Sequence, residues 1–326
     1  MTERHHRTGG DAPLSAGAFR PYVDLVDRSL VERVVSRHLR TPITGIEHLP
    51  SSVHEVFVVS SGEQRVVARF NDLAEMDRFE KEVWCLDRAA EVGVPGPVVL
   101  ATDRETDQAF MIESYVAGAR GDTLSGAARL TMWRVLGDHL RRIHSVAVHG
   151  FGDQRADLTE GDSDAGWRRY LDYNLSSLTH SDALLRMGVL DEQTQAFLRS
   201  TFDRLARVPV RFGLSHGDPS PWNLIRGDHG ALHVLDWSEA HAHVVPHFDL
   251  GVILGGRLDE EDPAFGELLA GYGIGRAGYD AIRPDVLALR LLIGTDKVRW
   301  ALDRKPDRLA DMVSALQALL GRVQGG

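Results

Sequence analysis

Residues 214–225, LSHGDPSPWNLI, place His216, Asp218 and Asn223 within eight positions between apolar flanks. Pro219 and Pro221 each remove a backbone donor, and each pushes its predecessor out of the helical region. A regular helix or a central strand is therefore excluded here. The spacing predicts a rigid loop, entered from Phe212 and Leu214 and left through Leu224 and Ile225. Shortly beyond it LHVLDW, residues 232–237, reads as a strand that delivers Asp236 at its end. One loop and hairpin system thus gathers three side chains with hard oxygen acceptors: Asp218, Asn223 and Asp236.

Working outward toward the N-terminus, the periodicity changes several times. From Phe19 to about Arg40, Tyr22, Val23, Val26, Leu30, Val34 and Val35 recur at helical spacing. VHEVFVVSSGEQRVVARF, residues 53–70, is two β-branched runs joined by SSGEQ, with Gly62 at the turn, and predicts an antiparallel hairpin. Met76, Phe79, Val83, Leu86 and Ala90 then outline a second helix, with Glu82 at the margin of its apolar stripe. GVPGPVVL, residues 93–100, breaks that helix and starts another strand. FMIESYVAG, residues 110–118, reads as a last strand ending in a glycine hinge, and most of the chain beyond it is helical.

Composition bounds the classes that remain. The chain has 326 residues, 43% of them hydrophobic, and no apolar run near the twenty or so that span a bilayer. The opening MTERHHRTGGDAPLSAGA lacks an apolar core, so neither a secretory signal nor an anchor is expected there. With 37 basic against 47 acidic residues the net charge is −10, which disfavours nucleic acid and is compatible with a cationic small molecule. The one cysteine, Cys85, excludes an internal disulfide framework. It points to a cytoplasmic protein and is expected in the core.

An amide oxygen and a carboxylate suit Mg²⁺, which takes oxygen ligands and leaves its other positions to nucleotide phosphates. A carboxylate left free of metal can accept the proton of an attacking alcohol. Singly, Asp218, Asn223 and Asp236 read as turn and loop residues. Jointly, the D-x4-N spacing followed by a strand-borne aspartate is the layout with which kinase loops hold base and metals. The chain here resembles the aminoglycoside phosphotransferase family of small-molecule kinases. The likeness runs from about residue 40 onward and rests on HGDPSPWN, VLDWSEA, HFDLG and RFEKEVWCLDRAAEVGVPGPVVL. VARFND, GFGDQ followed by WRRYL, and DWSEA are closest to the hygromycin B kinase branch.

The resemblance implies an α+β, bilobal, protein-kinase-like fold. Residues 1–18 would be a disordered tail. Residues 19–116 would form a small nucleotide-binding lobe, an antiparallel sheet with a helix. Residues 117–326 would form a large, mainly α-helical lobe that holds the acceptor. It makes Asp218 the catalytic base, Asn223 and Asp236 the Mg²⁺ ligands, and His216 and Asp249 structural members of the site. Arg69 stands where the kinase pattern has a lysine pairing the phosphates with a helix glutamate, here Glu82. An arginine keeps the charge and offers a planar fork to the same partners. No GxGxxG loop is present, and Ser51 and Ser52 stand in its place over the phosphates. Backbone groups at Glu113, Ser114 and Tyr115 would contact the base of the nucleotide, ATP or GTP.

The expected acceptor is a hydroxylated small molecule, an aminoglycoside or another antibiotic, with a non-antibiotic metabolite as the alternative. Asp172, Asp259, Glu260, Glu261, Asp262 and Asp296 are the carboxylates that could hold a cationic one. No nucleic acid or membrane partner is expected, and the assembly is a monomer or homodimer. HAHVVPHFD supports a rival reading, in which His241, His243, His247 and Asp249 bind the metal of a hydrolase. A third reading is a pseudokinase that binds a small molecule without turnover.

Overall fold

The computed structural model describes residues 26–49, 55–152, 158 and 160–325. The 1–18 tail, the first part of the helix expected from residue 19, and Ser51 and Ser52 lie outside the described residues. Five strands, β1 (Gly45–Leu49), β2 (Glu55–Ser61), β3 (Gln64–Asp72), β4 (Val99–Glu105) and β5 (Gln108–Ser114), form one antiparallel sheet in the order β1-β2-β3-β5-β4. The hairpin turn falls at Gly62 and Glu63, because Ser61 pairs with Gln64.

Strand alternation sorts the side chains of β3 onto two faces. Val66, Ala68 and Phe70 join Phe57 and Val59 of β2 and pack against Val31, Val34 and Val35 of α1 (Arg28–Val35). Asp27 caps α1 by accepting the Leu30 amide at 2.8 Å. The opposite face carries Arg69 and Met111 toward α2 (Met76–Glu91), whose Met76 and Phe79 pack with Met111 and Ala109. Burying a ring such as Phe70 or Phe79 contributes roughly 1.5–3 kcal/mol. Around α2, Ala89 is buried and Ala90 exposed, one position off the expected stripe. Glu82, expected at the margin, is 1% exposed. Both shifts have one cause: Cys85, Leu86 and Ala89 turn away from the sheet into the core of the large lobe.

The large lobe begins with β6 (Ala119–Arg120) and α3 (Gly126–Ile143), continues through α4 (Ser163–Ser177), α5 (Ala183–Arg186) and α6 (Glu192–Leu205), and ends with α7 (His247–Ile253), α8 (Pro263–Tyr272), α9 (Gly275–Arg304) and α10 (Leu309–Gly325). Trp133, Leu136 and Leu140 of α3 meet Phe265, Leu268 and Leu269 of α8 in one core. Trp167, Leu198, Phe202, Leu292 and Leu316 of α4, α6, α9 and α10 form another. Four short strands lie between α6 and α7. β7 (Phe212–Ser215) pairs antiparallel with β10 (His241–Val244), and β8 (Leu224–Arg226) pairs with β6 and β9 (Leu232–Val234). β7 leads into the 214–225 loop, β8 leaves it, and β9 leads to Asp236. Among the described residues no helix is long and apolar enough to cross a membrane.

Candidate active site

The loop after β7 is fastened from beneath. Asp249, 0% exposed near the start of α7, accepts the backbone amide of His216 at 3.0 Å and that of Gly217 at 2.9 Å. His144 Nε2 lies 2.8 Å from the same carboxylate, and Tyr272 OH lies 2.9 Å from His144 Nδ1. Burial pushes the Asp249 carboxyl up, but His144, with His216 and the Gly217 amide, outweighs it and holds the group below the usual carboxylate range. Gly217 adopts φ +84°, and a Cβ there would collide with the Glu239 carbonyl, so this position accepts only glycine. His216 is fully buried. Its Nε2 donates to the Leu235 carbonyl at 3.1 Å, and its Nδ1 accepts the Asp218 amide at 3.3 Å. Burial lowers its pKa, and a ring with one donor and one acceptor position is neutral.

Above this base stand the oxygen-bearing side chains. Asn223 Nδ2 donates to the Asp218 carbonyl at 3.0 Å and to Asp218 Oδ2 at 3.1 Å. Among the described residues the Asn223 side-chain oxygen accepts no hydrogen bond. The Asn223 carbonyl takes the Leu235 amide at 2.8 Å, which ties the loop to the segment bearing Asp236. Asp236 sits at φ +58°, a left-handed conformation tolerated by aspartate and concentrated at functional sites. Its Oδ1 accepts Ser238 Oγ at 2.7 Å, and no donor reaches its Oδ2 among the described residues. Desolvation raises the Asp236 carboxyl, but the Arg69 charge and the Ser238 hydroxyl outweigh it and keep the group ionised.

Across from Asp236, Arg69 forms a two-pronged pair with Glu82, with Nη1 2.6 Å from Oε2 and Nη2 3.1 Å from Oε1. Arg69 Nη2 also lies 4.0 Å from Asp236 Oδ1. Burial works to discharge the guanidinium, but Glu82 and Glu113 more than reverse that, so it stays protonated. Glu113, half-buried at the end of β5, has its carboxyl pushed up to about 7 by burial, against the pull of Arg69. Lys81 is 2% exposed and donates to the Ser238 carbonyl at 3.0 Å, which joins α2 to the turn after Asp236.

Asp218, Asn223, Asp236, Arg69, Glu82, His216 and Asp249 therefore meet in one connected network, with Glu113 at its edge. The carboxylates expected to face an acceptor do not gather there. Glu260 is held by Tyr279 OH at 2.8 Å and by Arg283 Nε at 2.7 Å. Asp262 caps α8 and pairs with both Arg129 nitrogens, at 2.6 and 3.1 Å. Asp296 accepts Tyr170 OH at 3.0 Å, while Asp172, Asp259 and Glu261 are exposed. Nor does the histidine run form a metal site. The His243 ring lies 4.1 Å from Phe248 and 4.8 Å from Phe151, its Nδ1 takes the Val244 amide, and Asp249 is engaged elsewhere. Among the described residues no group of three or more His, Cys, Asp or Glu side chains could hold a metal ion.

Two neighbours of the network were not foreseen. Arg257 Nε donates to Ser220 Oγ at 2.6 Å, and its Nη2 lies 3.4 Å from Asp218 Oδ1, to which Ser220 Oγ also donates. Its guanidinium covers the Trp222 ring at 4.1 Å. Lys81 is the other. The only local signal for it was its place beside Glu82 in RFEKEVW.

A donor set of one amide oxygen, on Asn223, and one open carboxylate, on Asp236, fits a nucleotide-bound divalent cation, which brings phosphate oxygens of its own. Solved structures with this architecture include the GDP and kanamycin complex of APH(2")-IIia, 15% identical over 91% of this chain and 99% of that one, with a TM-score of 0.66. The aminoglycoside phosphotransferase APH(4)-Ia is 18% identical, with 89% and 97% covered and a TM-score of 0.60. A protein of Haemophilus somnus 129PT assigned as a fructosamine-3-kinase is 13% identical, with 90% and 96% covered and a TM-score of 0.60. At these identities the likeness establishes the bilobal kinase-like fold. No curated protein matches the chain. The model of the phosphotransferase enzyme family APH matches residues 46–284, which contain the sheet, α2, the 214–225 loop and Asp236, and the chain belongs to that family.

Proposed function

We propose that the chain transfers the γ-phosphoryl group of ATP, with GTP as the alternative donor, to a hydroxyl group of a small molecule. The bond between the γ-phosphorus and the β–γ bridging oxygen breaks, and the diphosphate leaves. The hydroxyl oxygen forms the new bond to phosphorus, and its proton passes to Asp218. Asn223 and Asp236 would hold Mg²⁺, whose charge would offset that of the phosphates. Arg69, kept in place by Glu82, would meet the phosphate oxygens, with Ser51 and Ser52 above them. The backbone from Glu113 through Ser114 to Tyr115 would line the purine. His216 and Asp249 fasten the loop.

The nucleotide would lie between a small lobe of residues 19–116 and a large lobe of 117–326. The enzyme would work in the cytoplasm as a monomer or homodimer, without nucleic acid or membrane. Aminoglycosides and other antibiotics head the expected acceptors, with metabolites as the alternative. One observation carries the reading: Asn223 and Asp236 each present an oxygen with no protein donor among the described residues, on a frame hydrogen-bonded to Asp218 and 4.0 Å from a buried arginine. Nucleoside diphosphate release and product mass, followed with hydroxylated acceptors, test it. Asp218→Asn should lower kcat by roughly 10²–10⁴ while Mg·ATP affinity holds, the usual contribution of a positioned base. Near wild-type turnover in that variant would remove Asp218 from the reaction.

A further inference from the structure

Arg257, whose guanidinium touches Asp218 and Ser220, also lines a cleft of about 330 Å³ walled by α7, α9 and α10. That volume is within the range of small-molecule sites. Its walls are largely apolar and include Phe248, Val252, Leu289, Ile293, Met312 and Leu316. Its charged lining residues are Arg257, Arg290 and Lys297, and neither an aspartate nor a glutamate contributes. In a chain of net charge −10 this cleft is basic.

Arg290 is the telling member. Its stem lies on α7 at Gly251, where a Cβ would sit 3.0 Å from the Arg290 Cγ. It is half-buried and, among the described residues, makes neither a hydrogen bond nor an ion pair within 4.0 Å. Burial and the nearby Arg322 both act to lower its pKa. Glu260, itself paired with Arg283, and Tyr279 offset this only in part, so a half-buried cation with no hydrogen-bonded partner among the described residues is incompletely compensated, and an anionic group brought to it gains a charge-assisted hydrogen bond. An ammonium group in the same place would face the three cations of the lining, Arg257, Arg290 and Lys297. The carboxylates that could have welcomed a polycation are occupied by Arg129, Arg283, Tyr279 and Tyr170, or stand exposed.

We infer, on the basis of the phosphotransferase reading, that the acceptor is an anionic amphiphile: a hydroxylated organic acid whose apolar body lies in this cleft, with its acidic group at Arg290 and Lys297 and its hydroxyl at Asp218. Arg257, between the cleft and the base, would be the specificity-determining residue nearest the reacting oxygen. The substrate class therefore departs from the cationic sugars expected from the sequence.

Three compounds with one body and three head groups test this: 10-hydroxydecanoate, 1,10-decanediol and 10-aminodecan-1-ol, titrated calorimetrically into the full chain. The acid should bind about tenfold or more tighter than the amine, the value of one charge-assisted contact, with the diol between. Arg290→Glu should invert that order. Lys297→Glu, an exposed substitution, should flatten it and serves if the first variant does not fold. Amine binding as tight as acid binding, or no binding by any of the three, overturns the assignment. Mg·ATP affinity, measured on the same preparation, is a separate readout. Its absence together with the acid-first order would count against phosphoryl transfer while leaving the cleft assigned.

Discussion

Asp249 is 0% exposed, and every partner it has belongs to the protein: two loop amides on its two oxygens and the His144 ring on one of them. Asp236, which precedes β10 in the chain, has a side chain 48% exposed, takes Ser238 on one oxygen, and has no donor on the other among the described residues. The same functional group thus serves as a closed acceptor in one place and an open one in the other. A buried carboxylate must be saturated to be tolerated, and saturation leaves it nothing to offer a ligand. The open carboxylate keeps its coordination capacity because solvent, cation or phosphate-bound metal can complete its shell. The ionised state of both depends on a neighbouring group that offsets the desolvation, His144 for Asp249 and Arg69 for Asp236.

The sharpest way to break that comparison is to remove each carboxylate. Asp249→Ala strands two buried amides and His144, and should lower the unfolding free energy by about 3–5 kcal/mol. Asp236→Ala should change it by less than about 1 kcal/mol, because its buried neighbour Arg69 keeps both hydrogen bonds to Glu82, while its Mg·nucleotide affinity collapses. Urea unfolding of both variants, with nucleotide calorimetry, gives the answer. Equal stability losses would show that the two aspartates are both structural.

The pair between Arg69 and Glu82 is intermediate, closed on the helix side and open toward Asp236. Arg69→Lys keeps the charge and gives up the fork, so one of two hydrogen bonds to a buried carboxylate is lost. A stability loss of about 1.5–3 kcal/mol is expected, with a rise in the nucleotide KM and little change in the acceptor KM. Thermal unfolding and initial-rate kinetics read the two effects separately. An unchanged nucleotide KM would place the phosphate contact elsewhere in the small lobe.

How far these features could be read in advance depends on the range of the interactions involved. The 214–225 loop was legible because prolines act on their immediate neighbours, and the D-x4-N spacing is complete within six residues. Arg69 and Glu82 were legible as a pair through the resemblance to the kinase pattern, although Glu82 lies deeper than its own helix implies, since α2 is shared between two cores. Arg257 meets Asp218 from 39 residues away, and Lys81 meets Ser238 from 157. No periodicity encodes such contacts. The acidic run at 259–262 has the same limit: in sequence it is a block of free charge, and in space Arg129 engages Asp262 while Tyr279 and Arg283 engage Glu260.

The smallest effect concerns a third kind of carboxylate, neither saturated nor open. Glu113 closes β5, half-buried, with its pKa raised by burial from 4.5 to about 7. Arg69 pulls it down, and Glu82 and Asp236 add to the rise. A raised acid takes up its proton more readily in the native state than in the unfolded one. Its contribution is therefore fully present below about pH 4.5 and is lost as the pH climbs through 7, where the native state must carry an under-solvated charge. Glu113→Gln removes that charge at nearly constant shape. Relative to the parent, it should gain on the order of 1 kcal/mol at pH 8, a figure discounted for partial exposure, and almost nothing at pH 5. Calorimetric melting at the two pH values tests the difference directly. A gain of the same size at both would mean that Glu113 is ionised throughout, held by Arg69 as Asp236 is, and that the network has two open carboxylates where one is expected.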